Sequence, residues 1–488
     1  MGRPSAHNIV LFFCLGLLSS FTEWAVALHP SDCISNVARR SGQIWGIVGI
    51  VEPISSGSLL APIFLKKGLL PIYLRGDLEL TPRQAASLKR SDFYSQLPAH
   101  VTADLESGEF KRALAQLKNL PTLGLPPLQF VMTGSEAGVM YSEKLSAALQ
   151  LFSNASYGIR SRRMKWHMHL AAKKQNTVKI MPQILTRSPE EAIRWVYQKL
   201  GGWNTVKRMV VKTGMSHGST QVLFAHNDQE LSAHIHSILA ERTAFGAVNQ
   251  RVIVEPFIPG EEYAVNSASL IDGADVLHTR ITDVVHYDRP NPPRYGHEVL
   301  LAYDEIPPGL VDGHRDIVKS LGTRIGSSHG EYKITPEGII YFIENASRLY
   351  GAGNPHLHGE STDYGQVEAT VDTYADPEAF FEKADLPYVI THRALVVNIN
   401  VPVSDRRLYA ISEGLDQIER VIGGSGHLFK LLRFAEPGTP LFQTDDLVST
   451  LAQIEIRIPF DHPRREALAF EYLDLIERTR LQELFWRN

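Results

Sequence analysis

The 488-residue sequence predicts a multidomain chain of mixed class, α/β in its first part and α+β beyond it. Three observations carry that expectation. Two apolar runs, at 44–51 and 130–132, each lead through a loop of small residues into helical spacing, the mark of parallel strands crossed over by helices. Further along, runs at 261–270 and 276–281 flank an Asp272-Gly273 turn, the mark of antiparallel sheet. The chain also exceeds what one hydrophobic core supports, so it divides into about three or four domains.

The first run, 44–51, ends at Pro53 and the turn Ser55-Ser56-Gly57-Ser58. Helical spacing follows over 59–67 and a second strand over 70–74, completing a βαβ unit. Its small-residue loop sits at a strand end, where open α/β sheets bind ligands. The G-x-G-x-x-G order is absent, which argues against a dinucleotide site. The second unit runs from 130–132 through Thr133-Gly134-Ser135-Glu136-Ala137-Gly138 into a helix over 142–151. Residues 161–175 are basic and helical, and 178–184 reads as a strand. Ser188, Pro189 and Glu191 then supply an N-cap, a first-turn proline and an acid three residues after the cap.

A strand over 208–212 runs into the loop 213–220, and 221–224 returns as another strand. Asn227 caps a helix reaching about residue 240, and 251–254 leads to the turn Glu255-Pro256-Phe257-Ile258-Pro259-Gly260. The last hundred residues read as a small α+β appendage, with strands at 393–401 and 454–458 and an amphipathic helix at 463–480.

Apolar content of 44% and charged content of 21% are those of an ordinary globular protein. A net charge of −4 with no basic run argues against a dedicated nucleic-acid binder. The N-terminus is anomalous. Arg3 and His7 precede an apolar run at 9–18, then Ser19, Ser20 and Ala25-Val26-Ala27, the layout of a secretory leader cleaved after Ala27. That run is too short for a stable membrane span. Its removal would take Cys14 and leave Cys33 alone, whereas secreted proteins of this size usually carry several disulfides.

Four places carry candidate chemistry. Lys212 enters a Gly/Ser/Thr loop whose backbone N–H groups can cradle phosphates, with the ammonium as a point charge. Glu255 and Glu262 flank a Pro/Gly hinge; a strand end there can read an adenine edge, and a carboxylate can accept from ribose hydroxyls. Glu331 and Glu344 bracket a strand, a Pro-Glu-Gly turn at 336–338 and a second strand, so the hairpin brings them side by side. Two adjacent acids suit Mg²⁺, which takes one or two carboxylates plus substrate phosphates. Arg348, four residues on, can grip a phosphate or carboxylate with two parallel hydrogen bonds. Each of these has a plain alternative as a surface hairpin or turn; their order is what makes them specific.

That order, a basic helix with Lys165, then Lys212 and its glycine loop, Glu255-hinge-Glu262, Glu331, Glu344 and Arg348, resembles the ATP-grasp superfamily over most of residues 44–488. Within it the chain resembles the carboxylate–amine ligases that include bacterial L-amino-acid ligases. The stretches that bring it close are Ile50-Val51-Glu52-Pro53 with Ser55-Ser56-Gly57, 134–139, Ser328-His329-Gly330-Glu331, and 344–351. Pro437-Gly438 and Gln443-Thr444-Asp445-Asp446 also resemble the final subdomain of that group.

The resemblance implies an ATP-grasp architecture: an N-terminal Rossmann-like domain over 43–158, a lid subdomain over 159–256, a central antiparallel-sheet domain with the metal site over 257–385, and an α+β subdomain over 386–488. A leader at 1–27 and a connector at 28–42 would precede them. It implies that Lys165 and Lys212 hold ATP phosphates, that Ser216, Gly218 and Ser219 lie in the flap, and that Glu255 and the Phe257 backbone meet adenine while Glu262 meets ribose. Glu331 and Glu344 would bind two Mg²⁺ or Mn²⁺ ions, Arg348 would steady the transferred phosphoryl group, and Ser56, Glu136 and His329 would lie near substrate. Where many relatives place asparagine two residues after the second glutamate, this chain has Ala346. Asn345 comes one place early, and a one-residue shift in a strand turns it to the other face.

The activity implied is ATP-dependent joining of a small acid to an amine through an acyl phosphate, on amino acids or similar molecules, with release of ADP and phosphate. The alternatives are an ATP-grasp enzyme acting on another acid and nucleophile, to a thioester or natural-product amide, and a non-catalytic ATP-binding module. Small-molecule acid and amine partners are expected, and a homodimer is compatible with the sequence. Use of ATP and the lack of paired cysteines favour the cytoplasm; a cleaved leader would instead direct the chain to the secretory pathway.

Overall fold

The computed structural model describes residues 44–74, 108–154, 158–215, 220–242, 248–289, 294–352, 354–401, 408–410, 413–434, 444, 450–482 and 485–487. The leader and connector expected at 1–42, the flap residues Ser216, Gly218 and Ser219, and the turns at Pro437-Gly438 and Asp445-Asp446 lie outside the described residues.

The first unit is β1 (Gly46–Val51), α1 (Leu60–Lys66), β2 (Leu69–Leu74), α2 (Gly108–Lys118), β3 (Leu128–Thr133) and α3 (Val139–Ala148). Its three described strands are parallel in the order β2-β1-β3, so the apolar run supplies the central strand, fully buried over Gly46–Val51, with Trp45 before it exposed. The loops after β1 and β3 meet. A Cβ on Gly57 would lie 2.1 Å from the Gly134 carbonyl oxygen, and one on Gly134 would lie 2.5 Å from the Pro53 Cα. Glycine is required at both positions because backbone touches backbone.

Next come α4 (Lys165–Ala172), β4 (Lys179–Ile180), β5 (Ile184–Thr186), α5 (Pro189–Leu200), β6 (Met209–Thr213), β7 (Val222–Ala225), α6 (Asp228–Ala240) and β8 (Val252–Pro256). The caps read from sequence form: the Ser188 hydroxyl accepts from the Glu191 N–H at 3.1 Å, and Asn227 Oδ1 accepts from the Glu230 N–H at 2.8 Å. Strands order as β5-β8-β6-β7, antiparallel, with α5 and α6 covering a core of Ala192, Val196, Met209, Val211, Leu231, Ile235 and Val254. The single strand expected at 178–184 is two short ones in different sheets. Pro182 lies between them and has no N–H to continue a ladder.

The largest sheet combines β9 (Glu261–Ile271), β10 (Leu277–Asp288), β11 (His297–Leu300), β12 (Ile325–Ile334), β13 (Ile340–Ala346), β14 (His392–Ile399), β16 (Leu428–Arg433) and β17 (Ala452–Pro459), with β15 (Leu408–Ala410) and β18 (Phe485–Arg487) forming a separate pair. The described order is β16-β17-β14-β11-β10-β9-β12-β13-β4. The C-terminal strands therefore extend the central sheet, which runs without a break across residue 386. Helix α7 (Leu310–Ser320) and α4 pack on this sheet through Leu310, Ile317, Met168 and Ala172. Helix α8 (Gln366–Ala375) ties the sheet to α1 through ion pairs from Lys67 to Asp372 and Asp376, at 2.7 and 2.8 Å. Helices α9 (Glu413–Gly424) and α10 (Arg465–Gln482) cover the C-terminal strands. On α10 the buried positions Ala469, Tyr472, Ile476 and Thr479 recur at helical spacing. Among the described residues no helix is long and apolar enough to cross a membrane.

Candidate nucleotide and metal site

Glu331 and Glu344 are direct partners across β12 and β13. The register that places them so is not uniform. Tyr332 pairs with Phe342, and one step on Glu331 pairs with Glu344, so Ile343 is an extra residue, a β-bulge. Directly opposed residues project to the same face of a sheet, and the bulge gives the two carboxylates one face. Asn345 pairs with Gly330 on the opposite face; it is buried, and neither atom of its amide group has a hydrogen-bond partner among the described residues.

Helix α4 lies along the outer edge of β13. Strand β4 pairs with Tyr341 and Phe342 and stops there, and α4 continues the cover. Lys165 Nζ meets Glu344 Oε2 at 2.5 Å, His169 Nε2 lies 2.7 Å from the Ile343 carbonyl oxygen, and the Asn345 N–H donates to Met168 Sδ at 3.1 Å. A carbonyl only accepts, so His169 carries its proton on Nε2. Burial pulls the pKa of that ring down to about 4, so it is neutral near pH 7. Lys165, Met168 and His169 share one helix face because they lie three and four residues apart. The Lys165 N–H also donates to the Gly214 carbonyl at 3.1 Å, joining α4 to the start of the glycine loop.

Lys212 and Glu255 project from neighbouring strands β6 and β8 and form a buried ion pair at 2.5 Å. Burial opposes the charged ammonium, but Glu255, Glu344 and Glu331 hold Lys212 above the usual lysine range. Gln183 donates its amide to the second oxygen of Glu255. The Phe257 N–H donates to the Arg208 carbonyl at 3.0 Å, and the Arg208 guanidinium and Lys333 ammonium lie 4.7 and 5.1 Å from the centroid of its ring.

The inner strands carry the other acids on the same face. Cross-strand rows align Tyr287, Glu262 and Lys333; then Val285, Ala264, Glu331 and Glu344; then Asp283, Asn266 and His329. Glu262 pairs with Arg289 at 2.7 Å and Lys333 at 3.6 Å. Burial raises its pKa against the pull of those cations. For Glu331 burial also pushes upward, yet the His329 hydrogen bond and the nearby His329, Arg289 and Lys165 hold its carboxyl down at about 2. Behind Glu331 runs a hydrogen-bonded chain. His329 Nε2 lies 3.3 Å from Glu331 Oε1 and its Nδ1 2.7 Å from Asn266 Oδ1; Asn266 donates to Asp283 at 2.6 Å, which meets His358 at 2.9 Å. The Tyr350 ring stacks on His329 with centroids 4.6 Å apart.

Arg348 reaches across to the first unit. Its Nε and the Nη1 of Arg163 meet different oxygens of Glu136, each at 3.2 Å. Glu136 thus joins the loop after β3 to the segment that follows β13. Ser56 is buried in the 3₁₀ turn Ser55–Leu59, at the facing loop.

The structure therefore gathers Lys165, Lys212, Glu255, Glu331 and Glu344 within mutual electrostatic reach, with Glu262 and His329 in neighbouring rows and Arg348 and Glu136 at the domain seam. Reading the sequence missed Arg163, His169, Asn266, Asp283 and Arg289. No apolar run singles out Asn266 and Asp283: β9 and β10 mix polar and apolar residues, and the structure shows that both are buried and hydrogen-bonded to each other.

The donor set fits Mg²⁺ or Mn²⁺. Glu331 and Glu344 offer oxygens side by side, and Glu331 is held ionised. A pair of carboxylates completed by phosphates and water is how Mg²⁺ is usually held.

Comparison with known proteins bears on the fold. No family model matches the chain. It is similar to dapdiamide A synthase of Enterobacter agglomerans, 23% identical over 412 residues, which cover 83% of this chain and 90% of that protein. Among solved structures, an L-amino acid ligase from Bacillus licheniformis superposes with a TM-score of 0.62 at 18% identity, over 88% of this chain and 97% of that one. A carboxyaminoimidazole ribonucleotide synthase from Aspergillus clavatus, solved with ATP, gives 0.58 at 14% identity, over 89% and 99%. The chain has the ATP-grasp fold, and over most of its length the likeness is to ATP-dependent ligases that form C–N bonds.

Proposed function

We propose that the protein is an ATP-dependent carboxylate–amine ligase that joins a small acid, such as an amino acid, to an amine through an acyl phosphate. The observation that supports it most is the opposed pair Glu331 and Glu344, with Lys165 on one member and Lys212 close by.

A carboxylate is a poor electrophile and must first be activated. In the proposed reaction its oxygen attacks the γ-phosphorus of ATP, the bond from that phosphorus to the ADP oxygen breaks, and an acyl phosphate forms. The amine nitrogen then attacks the acyl carbon, the carbon–oxygen bond to phosphate breaks, and the amine loses a proton as the amide forms. Lys165 and Lys212 would exchange their glutamate partners for phosphate oxygens, offsetting the repulsion between two anions. Arg348 would hold the transferred phosphoryl group with parallel N–H donors. Glu262 would accept from ribose hydroxyls, and Glu255 and the backbone near Phe257 would face adenine. Bound Mg²⁺ would supply neutralisation of phosphate charge, and Glu331 and Glu344 would hold it. The glycine loop after Lys212 would exclude water from the acyl phosphate.

The test is ADP release from purified protein with ATP, Mg²⁺ and a panel of amino acids offered singly and in pairs, with products identified by mass. ADP formation that depends on an acid and an amine, with the matching amide, supports the proposal. ATP binding without turnover on any pair would point instead to a binding module.

A further inference from the structure

We propose that His169 is a positioning residue for the carboxylate pair: its Nε2–H, on the carbonyl of the bulged Ile343, holds the extra residue that puts Glu331 and Glu344 on one face. The inference rests on reading these two glutamates as the metal-holding pair, and it names what keeps them paired.

Beyond the bulge the hairpin pairs Tyr332 with Phe342, Lys333 with Tyr341 and Ile334 with Ile340. Continued without an extra residue, the same register would set Glu331 opposite Ile343 and Glu344 opposite Gly330. Glu344 would then project to the other face, toward His314, whose Nδ1 lies 2.6 Å from where a Cβ on Gly330 would sit. A bulge leaves its extra residue outside the regular ladder; Ile343 is half-buried, and a carbonyl there that has lost its ladder partner is stabilised by a donor. On the outer side, strand β4 has already ended at the partner of Phe342. The donor at that carbonyl is His169, at 2.7 Å.

His169 is itself fixed. Its ring packs against Phe342 with centroids 5.2 Å apart, and it shares a helix face with Met168, which accepts from the next amide of the strand, and Lys165, which meets Glu344. One helix thus engages residues 343, 344 and 345 in succession. Partners that orient metal ligands typically alter metal affinity by about 10–100-fold when removed.

The experiment compares His169→Gln with His169→Asn in the full-length chain. Both are neutral amides, but only glutamine reaches far enough to place an N–H where Nε2 lies. Mn²⁺ binding in the presence of ADP is measured by electron paramagnetic resonance, and the β12–β13 register is read from crystals of each variant. The proposal expects glutamine to keep wild-type Mn²⁺ affinity and the Glu331–Glu344 register. Asparagine is expected to weaken Mn²⁺ binding about 10–100-fold, with the bulge lost or displaced. Equal Mn²⁺ affinity in the two variants, or an unchanged bulge with asparagine, overturns it. If the asparagine variant does not fold, weakened binding or a slipped register in the glutamine variant overturns it. A wild-type protein that binds no Mn²⁺ with ADP rejects the metal reading, while the crystal register still decides the role of His169.

Discussion

Lys165 and Glu344 meet at 2.5 Å across the crevice between α4 and β13, and the same carboxylate faces Glu331. The contact couples a candidate phosphate ligand to a candidate metal ligand, so each should respond when the other changes. Glu344→Gln keeps size and hydrogen bonding but removes the charge. It should lower acid-dependent ADP release by about 10²–10³-fold, the scale of other losses of electrostatic stabilisation, with the circular dichroism spectrum unchanged. Activity near wild type would remove Glu344 from the metal site.

Lys212 and Glu255 form a buried pair, and breaking such a pair from one side leaves an uncompensated charge. Lys212→Met should cost about 3–5 kcal/mol in urea unfolding. Adding Glu255→Gln removes the stranded charge and should recover much of that loss, while ATP affinity stays poor. A double variant as unstable as the single one would mean that Lys212 contributes through packing alone.

Glu455, on β17, gives a pH dependence of defined sign. Burial raises its carboxyl from 4.5 to about 7 in the folded protein, with Lys430 and His358 opposing. Between those values the native state binds more protons than the unfolded chain, so stability falls as pH rises from about 4.5 to 7. At 1.36 kcal/mol per unit the loss is on the order of 3 kcal/mol. Glu455→Gln should flatten the stability profile across that window and raise the melting temperature at pH 8. A glutamine variant with the same pH profile as wild type would remove Glu455 as its source.

Gly57→Ala tests the contact between the two small-residue loops. The new methyl would stand 2.1 Å from the Gly134 carbonyl oxygen, and both sides of that contact are backbone. The expected cost is about 1–3 kcal/mol of stability, the range for overpacking, read as a lower melting temperature. Unchanged melting would mean that the loops separate readily.

Much of this architecture was legible because local rules and burial agree. The apolar run at 46–51 and the caps at Ser188 and Asn227 each have one dominant physical reading, and each forms as expected; the hairpin expected at Asp272-Gly273 also forms, but through a longer loop, 272–276, in which Asp275 takes the positive φ. The pairing of Glu331 with Glu344 was also expected, but its cause was not. Counting residues around a turn says how far apart two acids lie in the chain and nothing about a bulge. Partners such as His169 and Arg163 were missed for a related reason. They act from α4 and the segment before it, more than 170 residues from Ile343 and 27 from Glu136, and no local pattern records a contact made by docking. The extent of the large sheet was hidden likewise, since β14 and β17 look like strands of any small domain until their neighbours are known.

The bulge at Ile343 works as a phase setting. Strand alternation assigns each residue to one of two sides, and a single extra residue inverts that assignment for everything after it. The chain could therefore lose its carboxylate pair while keeping both glutamates, if Ile343 entered the ladder and turned Glu344 to the other side. Conversely, a homologue with no bulge here would need its second carboxylate at the position of Ile343. Aligning such sequences by glutamate alone would then shift one strand relative to the other, and the gap at 343 would be the functional difference.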